Sequence, residues 1–159
     1  MTNTTVLVKW AFIILCALII AGFLFFRHLG TRSADITSKL GVHNGQLAAM
    51  PDTPNAVSSQ TDDASKHVDA LPMQGSAKET LTKILACLQE MGNNTVTTQL
   101  DNYIHAVFVT PFMKYHDDVE FYIDTANNKV QFRSASRVGK SDLGANKARY
   151  DAFKKLYLQ

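Results

Sequence analysis

The chain has 159 residues, with 16 Lys and Arg against 14 Asp and Glu and a net charge of +2. At roughly 100–200 residues per domain this holds one domain and an appendage. The near-neutral balance excludes a strongly basic nucleic-acid-binding face and an acidic disordered chain. The charge is unevenly placed: residues 1–32 carry Lys9, Arg27 and Arg32 with no acid, and the remainder is slightly acidic.

Trp10 to Phe26, WAFIILCALIIAGFLFF, runs 17 residues without a charge. At about 1.5 Å per residue it covers roughly 25 Å, close to a ~30 Å hydrocarbon core. Val6, Leu7 and Val8 extend it past Lys9, whose stem can snorkel, and Trp10 stands where an interfacial aromatic would. The run exceeds the apolar region of a secretory signal, and Phe23 to Arg27 offers no small-x-small cleavage site. Residues 1–28 therefore read as an uncleaved single-span membrane anchor. Lys9 and the α-amino group flank one side, and Arg27, Arg32 and Lys39 the other. A margin that narrow leaves the side undecided, with the count leaning towards a cytoplasmic domain.

Residues 29–75 are rich in Ser, Thr, Asp, Asn, Gly and Pro and lack periodicity. They read as a tether that becomes an irregular segment. Ser76-Ala-Lys-Glu79 is a capping box, and Leu81, Ile84, Leu85, Leu88 and Met91 follow at helical spacing, so a helix is predicted over 77–91 with Gly92 as a left-handed stop. Cys87 on this helix reads as a small apolar residue, and Cys16 and Cys87 make no disulfide framework. Strands are predicted at 95–100, 103–110, 118–124 and 129–136, with turns at 101–102 and 126–128. A last helix over about 143–158 carries Tyr150, Phe153 and Tyr157 on one side. Residues 76–159 thus read as an α+β domain: a four-stranded, mainly antiparallel sheet with flanking N- and C-terminal helices, behind one transmembrane helix.

Alternation sorts the faces. Ile104, Ala106, Phe108, Val119, Phe121, Ile123, Val130 and Phe132 make a core face. The other face receives Tyr103, His105, Val107, Glu120, Tyr122, Gln131, Arg133 and Arg137. The turn at 126–128 sets Glu120 opposite Arg133, and His105 falls opposite about Tyr122. This polar face is either solvated, as is usual for an antiparallel sheet, or a ligand face.

Motifs for known chemistry are broken. His105 with His116-Asp117-Asp118 matches no standard metal spacing. Ser58-Ser59 with His67 lacks a nucleophile elbow. Gly139-Lys140-Ser141 resembles the tail of a phosphate loop, but Ser134 stands where its first Gly belongs. The loop still offers two alternatives: Arg137 and Lys140 with free helix amides could bind an anion, or Ser141 and Asp142 could cap the helix.

Several ordered motifs resemble one family. These are the run Arg133-Ser-Ala-Ser-Arg137-Val-Gly-Lys-Ser141-Asp142-Leu-Gly144-Ala-Asn146-Lys-Ala-Arg149, Asp117-Asp118-Val119-Glu120-Phe121, Tyr103-Ile-His105-Ala106, Pro54-Asn55-Ala-Val57-Ser58-Ser59, His67, and Leu71-Pro72. They resemble the family named domain of unknown function 1499, over roughly Leu40 to Leu158. Where that family usually has Cys-Pro-x-x-Pro-Asn-Cys, this chain has Met50-Pro-Asp-Thr-Pro-Asn-Ala56. The joint loss implies that the two cysteines act as a pair in relatives, by disulfide or metal, and the resemblance carries no such role to this chain. It draws attention to His105, Glu120, Arg133, Ser134, Ser136, Arg137, Lys140, Ser141, Asp142 and Asn146 as a polar face with its adjoining loop.

Three functions fit. The first is a membrane-anchored binding or accessory module, its site His105, Glu120, Arg133, Arg137, Lys140, Ser141, Asp142 and Asn146, for a small anionic ligand or lipid. The second is a structural or interaction protein of the cell envelope, its motifs holding a buried polar network. The third is a hydrolase-type enzyme using His105 and Glu120 for proton transfer. The expected partners are a membrane and either a small anionic ligand or an envelope protein; neither nucleic acid nor a cofactor is expected.

Overall fold

The structure, a computed structural model, describes residues 2–36 and 39–159. Met1, Thr37 and Ser38, which belong to the expected anchor and tether, lie outside the described residues. Helix α1 spans Thr2–Arg32 and is long and apolar enough to cross a membrane. Its large side chains from Val6 to Phe26 are exposed, which water disfavours for a helix that is apolar all round. A single 3-10 turn, Ser33–Asp35, follows.

The domain contains strands β1 (Ala56–Ser58) and β2 (Leu71–Pro72), helix α2 (Ala77–Met91), strands β3 (Asn94–Leu100), β4 (Tyr103–Val109), β5 (His116–Asp124) and β6 (Lys129–Ser136), and helix α3 (Ala145–Tyr157). The fold class is α+β with an antiparallel sheet, but of six strands rather than four. The sheet runs β1-β6-β5-β4-β3, and β2 also pairs with β6, so β1 and β2 share its outer edge. Both come from the segment read as irregular. Strands of three and two residues are too short to show a period, and their backbone partners lie some 60 to 80 residues away.

The capping box closes as the spacing requires: the Glu79 amide donates to Ser76 Oγ and the Ser76 amide to Glu79 Oε2. Gly92 ends α2 with a positive φ of 63°, but ψ of −172° puts it in the extended Gly-only region rather than the left-handed helical one. α2 and α3 cover one face of the sheet. Ile84 and Leu88 meet Ile104, Ala106, Val119, Phe121, Ile123, Val130 and Phe132, and Tyr150, Phe153 and Tyr157 complete the core. Phe153 lies 4.6 Å from Phe121 and 5.5 Å from Tyr157 between ring centres. Tyr150 and Tyr157 keep their hydroxyls paired by donating to the carbonyls of Asp69 and Pro72, which ties the edge segment to α3. Cys87 is buried among these residues, which pushes its thiol pKa up.

The register departs in one place. His105 faces Glu120, and Tyr103 faces Tyr122. A shift of two residues leaves every side chain on its face, so alternation cannot detect it.

The end of α1 is seated on the loop between β4 and β5. Arg27 donates to the Phe112 carbonyl. Ser33 is fully buried; its Oγ accepts from the His116 amide and lies 2.9 Å from His116 Nδ1. A methyl group on Gly30 would stand 1.9 Å from the Met113 carbonyl oxygen. Gly30→Ala is therefore expected to unseat the helix end, whereas Gly22→Ala, with nothing within 4 Å of the added carbon, is not. Limited proteolysis of the detergent-solubilised chain checks this: cleavage around residues 33–40 accelerates in Gly30→Ala alone, and equal rates in both would show that the close approach does not hold the helix.

Candidate functional site

The eight residues singled out by sequence do not form one site. Alternation along β5 and β6 sends them to two faces. Glu120, Arg133 and Arg137 lie with His105 on the face away from the helices, and Asn146 lies with Ser134 and Ser136 on the helix side. Ser134 and Ser136 therefore belong to the helix side, not to the polar face to which the motif pattern had assigned them.

The outer face is largely covered rather than freely solvated. It is covered by residues 33–36 and 39–50, the expected tether. Glu120 is fully buried: Oε1 accepts from the Tyr103 hydroxyl at 2.7 Å and the Gly41 amide at 2.8 Å, and Oε2 accepts from Arg133 Nη1 at 3.0 Å. Arg133 also donates to the Ala49 carbonyl. Asp118 receives the fork of Arg137, with Nε at 3.0 Å from Oδ2 and Nη2 at 2.8 Å from Oδ1. Arg137 Nη1 reaches onward to the carbonyls of Ser33 and Ala34. His105 completes the set, with Nε2 2.9 Å from Asp118 Oδ1 and Nδ1 2.7 Å from Thr97 Oγ1. Thr97 is the extra residue at a register shift in β3.

Burial and hydrogen bonding shift two groups of this network, Asp118 and Tyr103. Burial raises the Asp118 carboxyl, but hydrogen bonds from His105 and Arg137 and the guanidinium charge outweigh it and hold the carboxyl below the usual Asp range. Burial, with the Glu120 charge beside it, drives the Tyr103 hydroxyl far up, so it remains a donor.

The inner polar set joins the end of the sheet to the start of α3. Ser134 Oγ donates to Asn146 Oδ1 at 2.5 Å, and Arg149 donates to both Ser134 Oγ and Asn146 Oδ1. Arg149 also pairs with Asp117 Oδ2 at 2.6 Å and stacks over the Phe108 ring. Asn146 Nδ2 donates to the Asn55 carbonyl, and Asn55 Nδ2 donates to the Gly139 carbonyl, which holds the loop after β6. Of the two alternatives for that loop, capping is what the geometry has. Asp142 accepts from the amides of Gly144 and Asn146, and Ser141 Oγ from the Leu143 amide. A carboxylate thus occupies the helix amides that an anion would need. Lys140 and Ser141 are exposed beside it.

Several cavities adjoin these sets. One of about 560 Å³ borders Tyr103 and His105. Another of about 460 Å³ lies between Phe26 of α1 and the loops at 110–115 and 138–145, and it includes Asp117 and Lys140. Among the described residues no group of three His, Cys, Asp or Glu could hold a metal ion. Among the described residues the buried side-chain atoms Asp117 Oδ1 and Arg133 Nε lack a partner.

The family described as protein of unknown function (DUF1499) matches residues 46–156, more than half of the chain. The chain belongs to the DUF1499 family. No curated protein and no solved structure matches it. Within this DUF1499 domain Asn55 and Arg149 were not singled out individually by sequence, although both stand in the motif runs, and Asp117 and Asp118 entered only as candidates for a metal spacing that they do not match. Ser33 and Gly41, which lie before the family match, showed no signal, because their role is to offer backbone groups and one hydroxyl.

The outer network makes a quantitative expectation. Arg133→Met leaves Glu120 buried without its cation and should cost about 3–5 kcal/mol, whereas the double change Glu120→Leu with Arg133→Met should recover only part of that, because the Tyr103 hydroxyl and the Gly41 amide then lose their acceptor. Urea unfolding of both variants measures it. For Asp118 the folded pKa lies below the unfolded one, so its contribution is complete above about pH 4 and disappears as pH falls through the folded value. The stability gap between the wild type and Asp118→Asn should hold steady from neutral pH to about 5 and narrow below about 4.

Proposed function

We propose that the chain is a membrane-anchored accessory domain of structural or interaction type, with α1 retained as a single-span anchor. The outer polar network holds the domain in one placement on that anchor. The observation that carries this reading is the use of Arg137. One guanidinium grips Asp118 in the sheet and the carbonyls of Ser33 and Ala34, directly after the helix. Glu120 and Arg133 take the Gly41 amide and the Ala49 carbonyl in the same way. An uncleaved anchor also suits the seating of Arg27, Gly30 and Ser33 on the domain. The charge count leans towards a cytoplasmic domain by a narrow margin, and this stays part of the proposal.

The alternatives find less support. A proton-transfer enzyme needs His105 or Glu120 within reach of a substrate. Both ring nitrogens of His105 have partners, and Glu120 is fully buried with both oxygens engaged. An anionic ligand held by Arg133 and Arg137 would have to displace Glu120 and Asp118. Of that basic group only Lys140 is free for a ligand.

Three measurements on the full chain test the reading. Intact mass after membrane extraction should include residues 1–28, and the chain should resist alkaline carbonate. Hydrogen exchange at residues 33–36 should accelerate at least about tenfold in Arg137→Ala, since a charged hydrogen-bond set of about 1.5–3 kcal/mol is removed. A mature chain beginning near Arg27 would overturn the anchor, and unchanged exchange in Arg137→Ala would overturn the proposed role of the network.

A further inference from the structure

The cavity between α1 and the loop after β6 combines three features. Its level is set by Phe26, the last residue of the uncharged run, with Arg27 following. This is the depth at which hydrocarbon gives way to headgroups. Its walls are largely apolar, from Phe26, Met113, Val138 and Leu143, and Leu143 is almost wholly exposed at a positive φ of 53°. Its polar groups are of both signs. Lys140 stands exposed on the rim, and Asp117, buried to 2% exposure, lines it with Oδ1 unpaired while Oδ2 is held by Arg149. A buried carboxylate oxygen without a donor is costly, and it marks a place for one.

We infer that this cavity binds the headgroup of a zwitterionic aminophospholipid from the adjacent bilayer, with its ammonium on Asp117 Oδ1 and its phosphate on Lys140. The inference rests on the reading of α1 as a membrane anchor. An apolar groove continuous with the span admits the acyl chains without exposing them to water. The two charges of the head then meet two side chains of opposite sign. A choline head carries the same charge but has no N–H to donate, and a glycerol head carries no cation, so the site discriminates by chemistry and not by size alone.

The test uses the full chain reconstituted in phosphatidylcholine nanodiscs containing a minor fraction of phosphatidylethanolamine or phosphatidylglycerol. The chain is then released into detergent, and retained lipid is counted by native mass spectrometry. Phosphatidylethanolamine should be enriched over phosphatidylcholine about tenfold, the value of one charged hydrogen bond. Asp117→Asn should bring the ratio close to one, whereas Lys140→Glu, which removes the phosphate contact that both lipids share, should lower the total lipid retained about tenfold. Asp117→Asn also removes the Arg149 ion pair, so circular dichroism checks its fold, and the exposed Lys140→Glu carries the test if it unfolds. Equal retention of the two lipids, preference for phosphatidylglycerol, or total retained lipid unaltered by Lys140→Glu would overturn the site. Failure of the anchor reading looks different: carbonate extracts the chain, or residues before Arg27 are missing, whatever the lipid.

Discussion

The fork between Arg137 and Asp118 is the interaction on which the arrangement turns. Asp118 and Glu120 stand two residues apart on one strand and so share one buried face. Two carboxylates cannot remain charged there without cations, and the next strand and the residue just past its end supply them, Arg133 to Glu120 and Arg137 to Asp118. Lysine could supply the charge but not the planar fork, which satisfies both carboxylate oxygens and leaves a nitrogen for backbone carbonyls. The spare donors of both arginines decide what can cover the face. They require acceptors, and the stretch after α1 provides carbonyls at Ser33, Ala34 and Ala49. The covering segment is therefore selected by its backbone and not by its side chains.

That explains what was legible in the sequence. The four long strands, both helices of the domain, the capping box and the core face all follow from periods and turn residues within short windows. The Glu120–Arg133 pair follows because a tight turn at 126–128 transmits register over a few residues. The cover was hidden because its contribution is carbonyls and an amide, which every sequence possesses. Strands β1 and β2 were hidden because edge pairing of two or three residues depends on the fold around them. The loop between β4 and β5 is longer than the turn at 126–128, so register slid by two there without moving a side chain across the sheet.

The motif run from Arg133 to Arg149 reads as one signature but supports two networks. In a strand, neighbours point to opposite faces. Arg133 and Arg137 thus turn to the covered face, and Ser134 and Ser136 turn towards α3. The chain then passes over the sheet end at Gly139, whose carbonyl is held by Asn55, and enters α3. There Asn146 and Arg149, three apart on the helix, return to the two serines and to Asp117. A single stretch therefore locks cover, sheet and helix together, and the apparent polar face is the projection of two faces onto one line of sequence.

Buried ion pairs seldom stabilise a fold more than apolar residues of the same volume would. Their physical advantage is direction. An apolar cover can slide over an apolar face at little cost, whereas a guanidinium displaced from its carbonyls leaves a buried charge unsatisfied. On the proposed reading that directionality matters because the covered element is joined to a membrane helix. Arg27, Gly30 and Ser33 fix the helix end against the β4–β5 loop, and Arg137 fixes the chain that follows. Contacts at both points suppress tilting between helix and domain that either alone would permit. A fixed tilt keeps the same surface, the loops at 110–115 and 138–145, beside the end of the apolar run. The polar network and the cavity are then parts of one device: the first is closed to ligands because it sets the placement, and the second stays open because that placement brings it to the membrane.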